Sequence, residues 1–261
     1  MVDIHSHILP GWDDGSTSME QSLEMLKIAV ESGTTAIVAT PHANTEFHFQ
    51  PDIVNGIFAE LKRTVAALPA LPIDLHLGCD FHIQFENVQD ALANPTKYTI
   101  DHGAYLMVEL PEVMNFAVIR DILGRLRDEG MITVITHPER NMQLQSNLGE
   151  LDGWVQSGAL LQVTGQSLLG RFGKIAHHCA NQLLKDNLVH FIASDAHDTQ
   201  DRTPNLREAY RWMESKYGKR RAERLFQVNP AALISGAPIE MDDGEITMSS
   251  GEDRKWWAFW K

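Results

Sequence analysis

Seven short apolar runs rich in Val, Ile, Leu and Ala punctuate the chain, at residues 2–7, 34–39, 73–79, 104–110, 131–136, 159–164 and 188–193. Their hydrophobicity is continuous rather than alternating, which suits parallel strands covered on both faces. Helical patterns fill most of the gaps. Ser18 and Gln21 form a capping-box signature for a helix that ends before Gly33. Pro51 suits the first turn of the next helix, in which Ile53, Ile57, Leu61, Val65 and Leu68 fall near helical spacing. Further helices are predicted over 116–129, 149–156, 174–185, 205–216 and 220–228, with Gly130 stopping the first. Strand alternating with helix seven times is the grammar of a (β/α) barrel, with an open doubly wound sheet as the other solution. No G-x-G-x-x-G follows the first strand, so a dinucleotide-binding version has no support.

The barrel domain is expected over residues 1–240. From 241 to 261 the composition changes to a polar, acidic stretch and then Lys255-Trp256-Trp257-Ala258-Phe259-Trp260-Lys261. That end reads as a loosely attached tail, with docking and packing onto the barrel as its two roles. The 22 Lys and Arg against 35 Asp and Glu give a net charge of −13, which repels phosphate backbones and argues against a nucleic-acid partner. No apolar stretch approaches the roughly 18 to 20 residues of a membrane span. The first strand begins at once, leaving no room for a signal peptide, and Cys79 and Cys179 form no paired motif. A cytoplasmic, disulfide-free protein is the expectation.

The chemistry lies at the strand ends. His5 and His7 close the first run, and residues two apart on a strand share a side. Asp195 and His197 repeat the spacing after the last run. Between them, Asp14 sits in a Gly-flanked loop, His42 follows Thr40-Pro41, Asp80 follows Gly78-Cys79, and His137 precedes Pro138-Glu139-Arg140. Glu109 ends an otherwise apolar run, where a carboxylate is costly to bury unless paired or metal-bound. Ligands at the C-terminal ends of parallel strands converge on one mouth. Nine mixed imidazole and carboxylate donors are too many for one ion and fit two or three divalent metals. His48, His76, His82, His102, His177, His178 and His190 carry no such motif, although His82 lies near the expected site. Cys179 lacks the arginine six residues later that a cysteine phosphatase loop needs, since Lys185 stands there.

The H-x-H opening, Thr40-Pro41-His42, His137-Pro138-Glu139-Arg140 and Ser194-Asp195-Ala196-His197 resemble the polymerase and histidinol phosphatase (PHP) superfamily. Gly11-Trp12-Asp13-Asp14-Gly15 and Val108-Glu109-Leu110-Pro111 are most similar to its capsule-biosynthesis protein-tyrosine phosphatase branch. The resemblance implies a distorted (β/α)7 barrel and a metal-dependent phosphatase that hydrolyses phosphotyrosine with metal-activated water. Its substrate would be a bacterial tyrosine autokinase controlling capsule or exopolysaccharide production, reached at the membrane through that substrate or the tail. Homo-oligomers are compatible with the resemblance.

Manganese is the leading metal, with iron, zinc, cobalt and magnesium as alternatives. By the same resemblance one ion takes His5, His7 and Asp195 with a bridging Asp80. A second shares Asp80 and adds Glu109 and His137, and a third takes Asp14, His42 and His197. Relatives often carry Glu where this chain has Asp80. Arg140 and Arg202 would bind phosphate, for which the planar guanidinium is suited. Two other readings stay open: a PHP phosphomonoesterase for histidinol phosphate or a nucleotide, and an inactive metal-binding regulatory module.

Overall fold

The computed structural model describes residues 1–239, so the tail expected from residue 241 onward lies outside the described residues. Nine strands replace the seven expected runs: β1 (Val2–Ser6), β2 (Ala36–Ala39), β3 (His42–Ala43), β4 (Asp74–Leu77), β5 (Asp80–His82), β6 (Tyr105–Glu109), β7 (Ile132–Thr136), β8 (Leu160–Thr164) and β9 (Phe191–Ala193). The extra strands arise from two breaks. Pro41, which has no N–H to give a ladder, separates β2 from β3. Gly78-Cys79 separates β4 from β5, and a Cβ at Gly78 would lie 2.7 Å from Ile100. Backbone bonds from Gly78 N to Ala39 O and from Asp80 N to Pro41 O carry the pairing across both breaks.

All pairings are parallel, in a three-stranded sheet ordered β1-β2-β4 and a six-stranded sheet ordered β3-β5-β6-β7-β8-β9. The outer strands β1 and β9 meet just past β9, where Asp195 N donates to His5 O and His7 N donates to Ala196 O. The His5-Ser6-His7 and Asp195-Ala196-His197 segments are thereby stitched side by side.

Eleven α-helical segments accompany these strands among the described residues. In α1 (Met19–Ser32) the Ser18 hydroxyl accepts from Gln21 N, and Gly33 takes the left-handed conformation that closes the helix. The Gln21 side chain reaches Thr17 N rather than the cap residue's own N–H, so the box is only half closed. Helix α2 (Pro51–Ala66) buries Val54, Leu61 and Val65, while Ile53 and Leu68 are 48 % and 38 % exposed. The apolar spacing locates Leu61 and Val65 on the buried face but takes Ile53 where Val54 turns inward. Helices α3 (Phe85–Ala93), α4 (Phe116–Asp128), α5 (Met142–Gln145), α6 (Gly149–Gln156), α7 (Gly165–Leu168), α8 (Gly173–Lys185), α9 (Arg207–Tyr217), α10 (Lys219–Glu223) and α11 (Asn229–Ser235) follow. The segment expected at 220–228 is helical throughout but changes type, α10 passing into a wide π turn over Arg224–Val228 that leads into α11.

Strand alternation sorts the apolar side chains into layers. Leu106, Val108, Ile135, Leu161 and Val163 pack in the largest core cluster with the helices. Their neighbours Tyr105, Met107, Val134, Leu160, Phe191 and Ala193 form a separate cluster with Val2, Ile4 and Val38. Continuing each of these second rows by two residues reaches Glu109, Thr136, Gln162 and Asp195. One sheet face is thus apolar at the strand starts and polar at the strand ends, and this places the site.

The loop after β1 returns so closely that a Cβ at Gly15 would lie 2.2 Å from His7 O and 2.4 Å from His7 Cβ. Because backbone cannot yield, Gly15→Ala is expected to cost about 1–3 kcal/mol as overpacking. Urea denaturation should show the lowered midpoint; an unchanged midpoint would refute the close approach.

Candidate metal centre

The expected donors lie at strand termini or in the loops beside them. His5 and His7 leave β1, His42 opens β3, Asp80 opens β5, Glu109 closes β6, and His137 and Asp195 follow β7 and β9. Asp14 comes from the Gly11–Gly15 loop and His197 from the segment after β9. All nine fall into four overlapping groups: His7, Asp14, His42 and His197; His5, His7 and Asp80; His5, His137 and Asp195; and His42, Asp80 and Glu109. Within each group the donor atoms lie within 4.8 Å of one another. In this geometry His137 stands beside His5 and Asp195, and Glu109 beside His42 and Asp80.

The contacts are those of donors sharing a centre rather than of ordinary ion pairs. His5 Nε2 lies 3.6 Å from Asp80 Oδ2 and 3.5 Å from Asp195 Oδ1, and His7 Nε2 is 3.5 Å from the same Asp195 oxygen. The two Nε2 atoms themselves are 3.3 Å apart. Asp14 Oδ1 is 3.3 Å from His42 Nε2 and 3.4 Å from His197 Nε2. Asp80 Oδ2 and His42 Nδ1 face each other at 3.4 Å, yet both are buried and make no hydrogen bond. Buried polar atoms without partners are rare, and here they point into a cluster whose donor set suits divalent cations. The residues present therefore fit a metal centre.

Electrostatics and backbone strain agree. Burial disfavours a charge on His5, but Asp80 and Asp195 outweigh it and raise its pKa to about 9. Burial likewise opposes charge on His42, while Asp14 and Asp80 lift it to about 11. Burial, with His197 beside it, lowers His7 to about 4, and burial with Arg140 lowers His137 to about 3. Against the cost of burial, His5 holds Asp80 and Asp195 well below the usual carboxylate range. His137 and Asp195 adopt φ of 34° and 50°, left-handed conformations that non-glycine residues rarely take and that gather at functional sites.

Arg140 and Arg202 both donate to Asp195 Oδ2, Arg202 at 2.5 Å. Phe172, on the loop before α8, lies under both guanidinium groups, with its ring centre 4.3 Å from Arg140 and 5.9 Å from Arg202. Nothing in the sequence marks Phe172. Two supporting side chains were also overlooked in the sequence: Asp13, bonded to His7 Nδ1 at 2.9 Å, and Gln162, bonded to His5 Nδ1 at 2.9 Å. Their signals were present, since Asp13 adjoins Asp14 and Gln162 is a lone amide in an apolar run. Thr136 Oγ1 donates to Asp80 Oδ1 at 3.3 Å. His82 Nδ1 lies 3.3 Å from Glu109 Oε2, at the edge of the cluster. Cys79 and Cys179 are buried free thiols whose pKa values burial raises, so neither is a poised thiolate.

A parallel α/β fold that gathers nine imidazole and carboxylate side chains on one side, in groups that could hold metal ions, has the layout of a metal-dependent enzyme. The chain belongs to the capsular polysaccharide synthesis CpsB/CapC family, whose model matches residues 1–235. This is the capsule branch of the PHP group. It is 35 % identical over 221 residues to tyrosine-protein phosphatase YwqE of Bacillus subtilis, covering 84 % of this chain and 85 % of that one. It is 27 % identical over 239 residues to tyrosine-protein phosphatase CpsB of Streptococcus pneumoniae, covering 90 % and 98 %. A crystal structure from work on YwqE and CpsB, described as unique metal-dependent tyrosine phosphatases, superposes with a TM-score of 0.84 at 33 % identity. That match covers 92 % of this chain and 97 % of the other.

Asp80 touches two of the four groups, so its charge matters more than its shape. Asp80→Asn is expected to lower metal content, read by elemental analysis of the folded variant, while Asp80→Glu should retain it in part. Full metal content in Asp80→Asn would remove Asp80 from the ligand set.

Proposed function

We propose that the chain is a metal-dependent protein-tyrosine phosphatase. The observation that carries this reading is the convergence of Arg140 and Arg202 on Asp195 Oδ2, above Phe172 and beside the nine-donor cluster. Two planar cations next to a metal centre form an anion site, and the kinship to YwqE and CpsB supports phosphotyrosine as its ligand. His5, His7, Asp14, His42, Asp80, Glu109, His137, Asp195 and His197 would hold two or three divalent ions, manganese foremost. Such ions, when bound, supply positive charge and lower the pKa of water from 15.7 to about 7.

The remaining roles belong to the chain's own residues. Arg140 and Arg202 would shift from the one carboxylate oxygen they share to phosphoryl oxygens, so that two guanidinium charges meet the incoming phosphate. Phe172 offers its face to hold the guanidinium planes, a contact that keeps their N–H forks pointed at the anion. The leaving phenol has a pKa of about 10, so its departure needs less protonation than an alkyl alcohol would. With both thiols buried, a cysteine phosphoenzyme has no support.

The same reading extends to the fold and the setting. Counting β2 with β3 and β4 with β5 as single staves, the order becomes seven staves, with β9 meeting β1 through the Ser6–Ala196 bridge. We take this as a distorted (β/α)7 barrel. Kinship to a capsular polysaccharide synthesis family supports a tyrosine autokinase of capsule or exopolysaccharide production as substrate, met in the cytoplasm. Among the described residues no helix is long and apolar enough to cross a membrane.

Chelation should abolish hydrolysis of a phosphotyrosine peptide, and added manganese should restore it. A panel including phosphoserine peptide, histidinol phosphate and a nucleotide monophosphate tests selectivity. Faster turnover of histidinol phosphate or the nucleotide would transfer the protein to the other phosphomonoesterase reading. Full activity after verified removal of all metal would overturn the mechanism.

Arg140→Ala should keep its metal but lose roughly 10²- to 10³-fold in kcat, as when one stabilising donor is removed from a charged transition state. Steady-state kinetics alongside elemental analysis measures both; wild-type kinetics would strip Arg140 of its role.

A further inference from the structure

We infer that Asp13 is a positioning residue that fixes the tautomer of His7 and ties three donors of one metal group together. The inference rests on the reading of His7 as a metal ligand. The Asp13 side chain is wholly inaccessible to solvent, and three nitrogens surround it. Its Oδ2 accepts from His42 N at 3.0 Å and pairs with His7 Nδ1 at 2.9 Å, and its Oδ1 accepts from Gly15 N at 3.0 Å.

The backbone N–H groups of His42 and Gly15 are obligate donors, so each carboxylate oxygen is fixed as an acceptor. An ionised carboxylate carries no proton to give, and His7 Nδ1 must therefore be the N–H of the pair. Its Nε2 is left with a lone pair, and that atom is the one facing His5, Asp195 and the cluster. A carboxylate partner also makes an imidazole a stronger donor to a metal.

Asp13 reaches further than one ring. Of the group His7, Asp14, His42 and His197, it bonds the first through the side chain, holds the third by its backbone, and precedes the second in the chain. His5 is held differently. Its Nδ1 meets Gln162 Oε1 at 2.9 Å, but Gln162 Nε2 is buried without a partner, so nothing pins that amide's orientation. The H-x-H pair is thus asymmetric, with a charged, fully committed partner on His7 and a neutral, reversible one on His5.

An asparagine at position 13 cannot satisfy the same surroundings. Its amide NH2 must face either Gly15 N–H or the His42 N–H and His7 side, and the charge is lost in both orientations. Asp13→Asn is therefore expected to weaken zinc binding about 10- to 100-fold in competition with a chromogenic chelator. Asp13→Glu should recover part of that loss, because both oxygens remain acceptors.

The tautomer is read directly in the wild-type protein by nitrogen-15 imidazole NMR, using zinc as a diamagnetic ion and His7→Gln to assign the signal. The expected result is a protonated Nδ1 and a zinc-shifted Nε2 on His7. A protonated Nε2, or zinc affinity in a folded Asp13→Asn equal to wild type, would overturn the inference. Wild-type protein that binds no zinc or manganese at all would instead overturn the reading of the metal centre itself.

Discussion

Two carboxylates buried within reach of the same imidazoles are the constraint around which this structure is arranged. Asp80 and Asp195 are both withdrawn from water, and an isolated buried carboxylate is expensive unless positive charge lies close. In the absence of cations the positive charge comes from protons on His5 and His42, and from Arg140 and Arg202. A divalent ion offers the same compensation in more concentrated form, and to enter it must displace those protons. The cluster is therefore poised between two ways of meeting one electrostatic demand. The left-handed backbone at His137 and Asp195 shows that the surrounding fold holds these donors in place at local cost.

That demand dictates where the donors sit. The rows through β6, β7, β8 and β9 present apolar side chains at their starts and polar ones at or just past their ends, so the fold's stability and the site's chemistry occupy opposite ends of the same rows. Met107 and Glu109 illustrate the division, one fully buried among hydrophobic neighbours and the other facing His42. Strands paired in parallel deliver all such ends to one side.

Much of this was legible in the sequence because it depends on residue type and local spacing. The paired spacing of His5 with His7 and of Asp195 with His197, and the carboxylate closing an apolar run at Glu109, are local signals. So is the helix bounded by Ser18 and Gly33. What escaped depends on tertiary approach. The split of β4 from β5 follows from Ile100 lying against Gly78, a contact between segments remote in sequence. The short α3 and α11 carry too few apolar turns to stand out by period. Partner assignment is non-local as well: the sequence picks out Asp14 and not the adjacent, chemically alike Asp13, and only the fold brings Asp13 to His7 Nδ1. Phe172 is an ordinary aromatic until the chain brings it beneath two arginines.

Asp195 connects the two halves of the site. Its Oδ1 faces the imidazoles of His5 and His7, and its Oδ2 holds Arg140 and Arg202. One carboxylate thus divides its charge between the donor cluster and the two arginines. On the proposed reading, a cation drawing on Asp195 would weaken its hold on the guanidinium groups and leave their N–H forks more available to a phosphate. Conversely, an anion that takes the arginines leaves Asp195 more available to a cation. On the proposed reading, competition for this single buried carboxylate would make metal loading and phosphate capture favour one another, with no conformational change required.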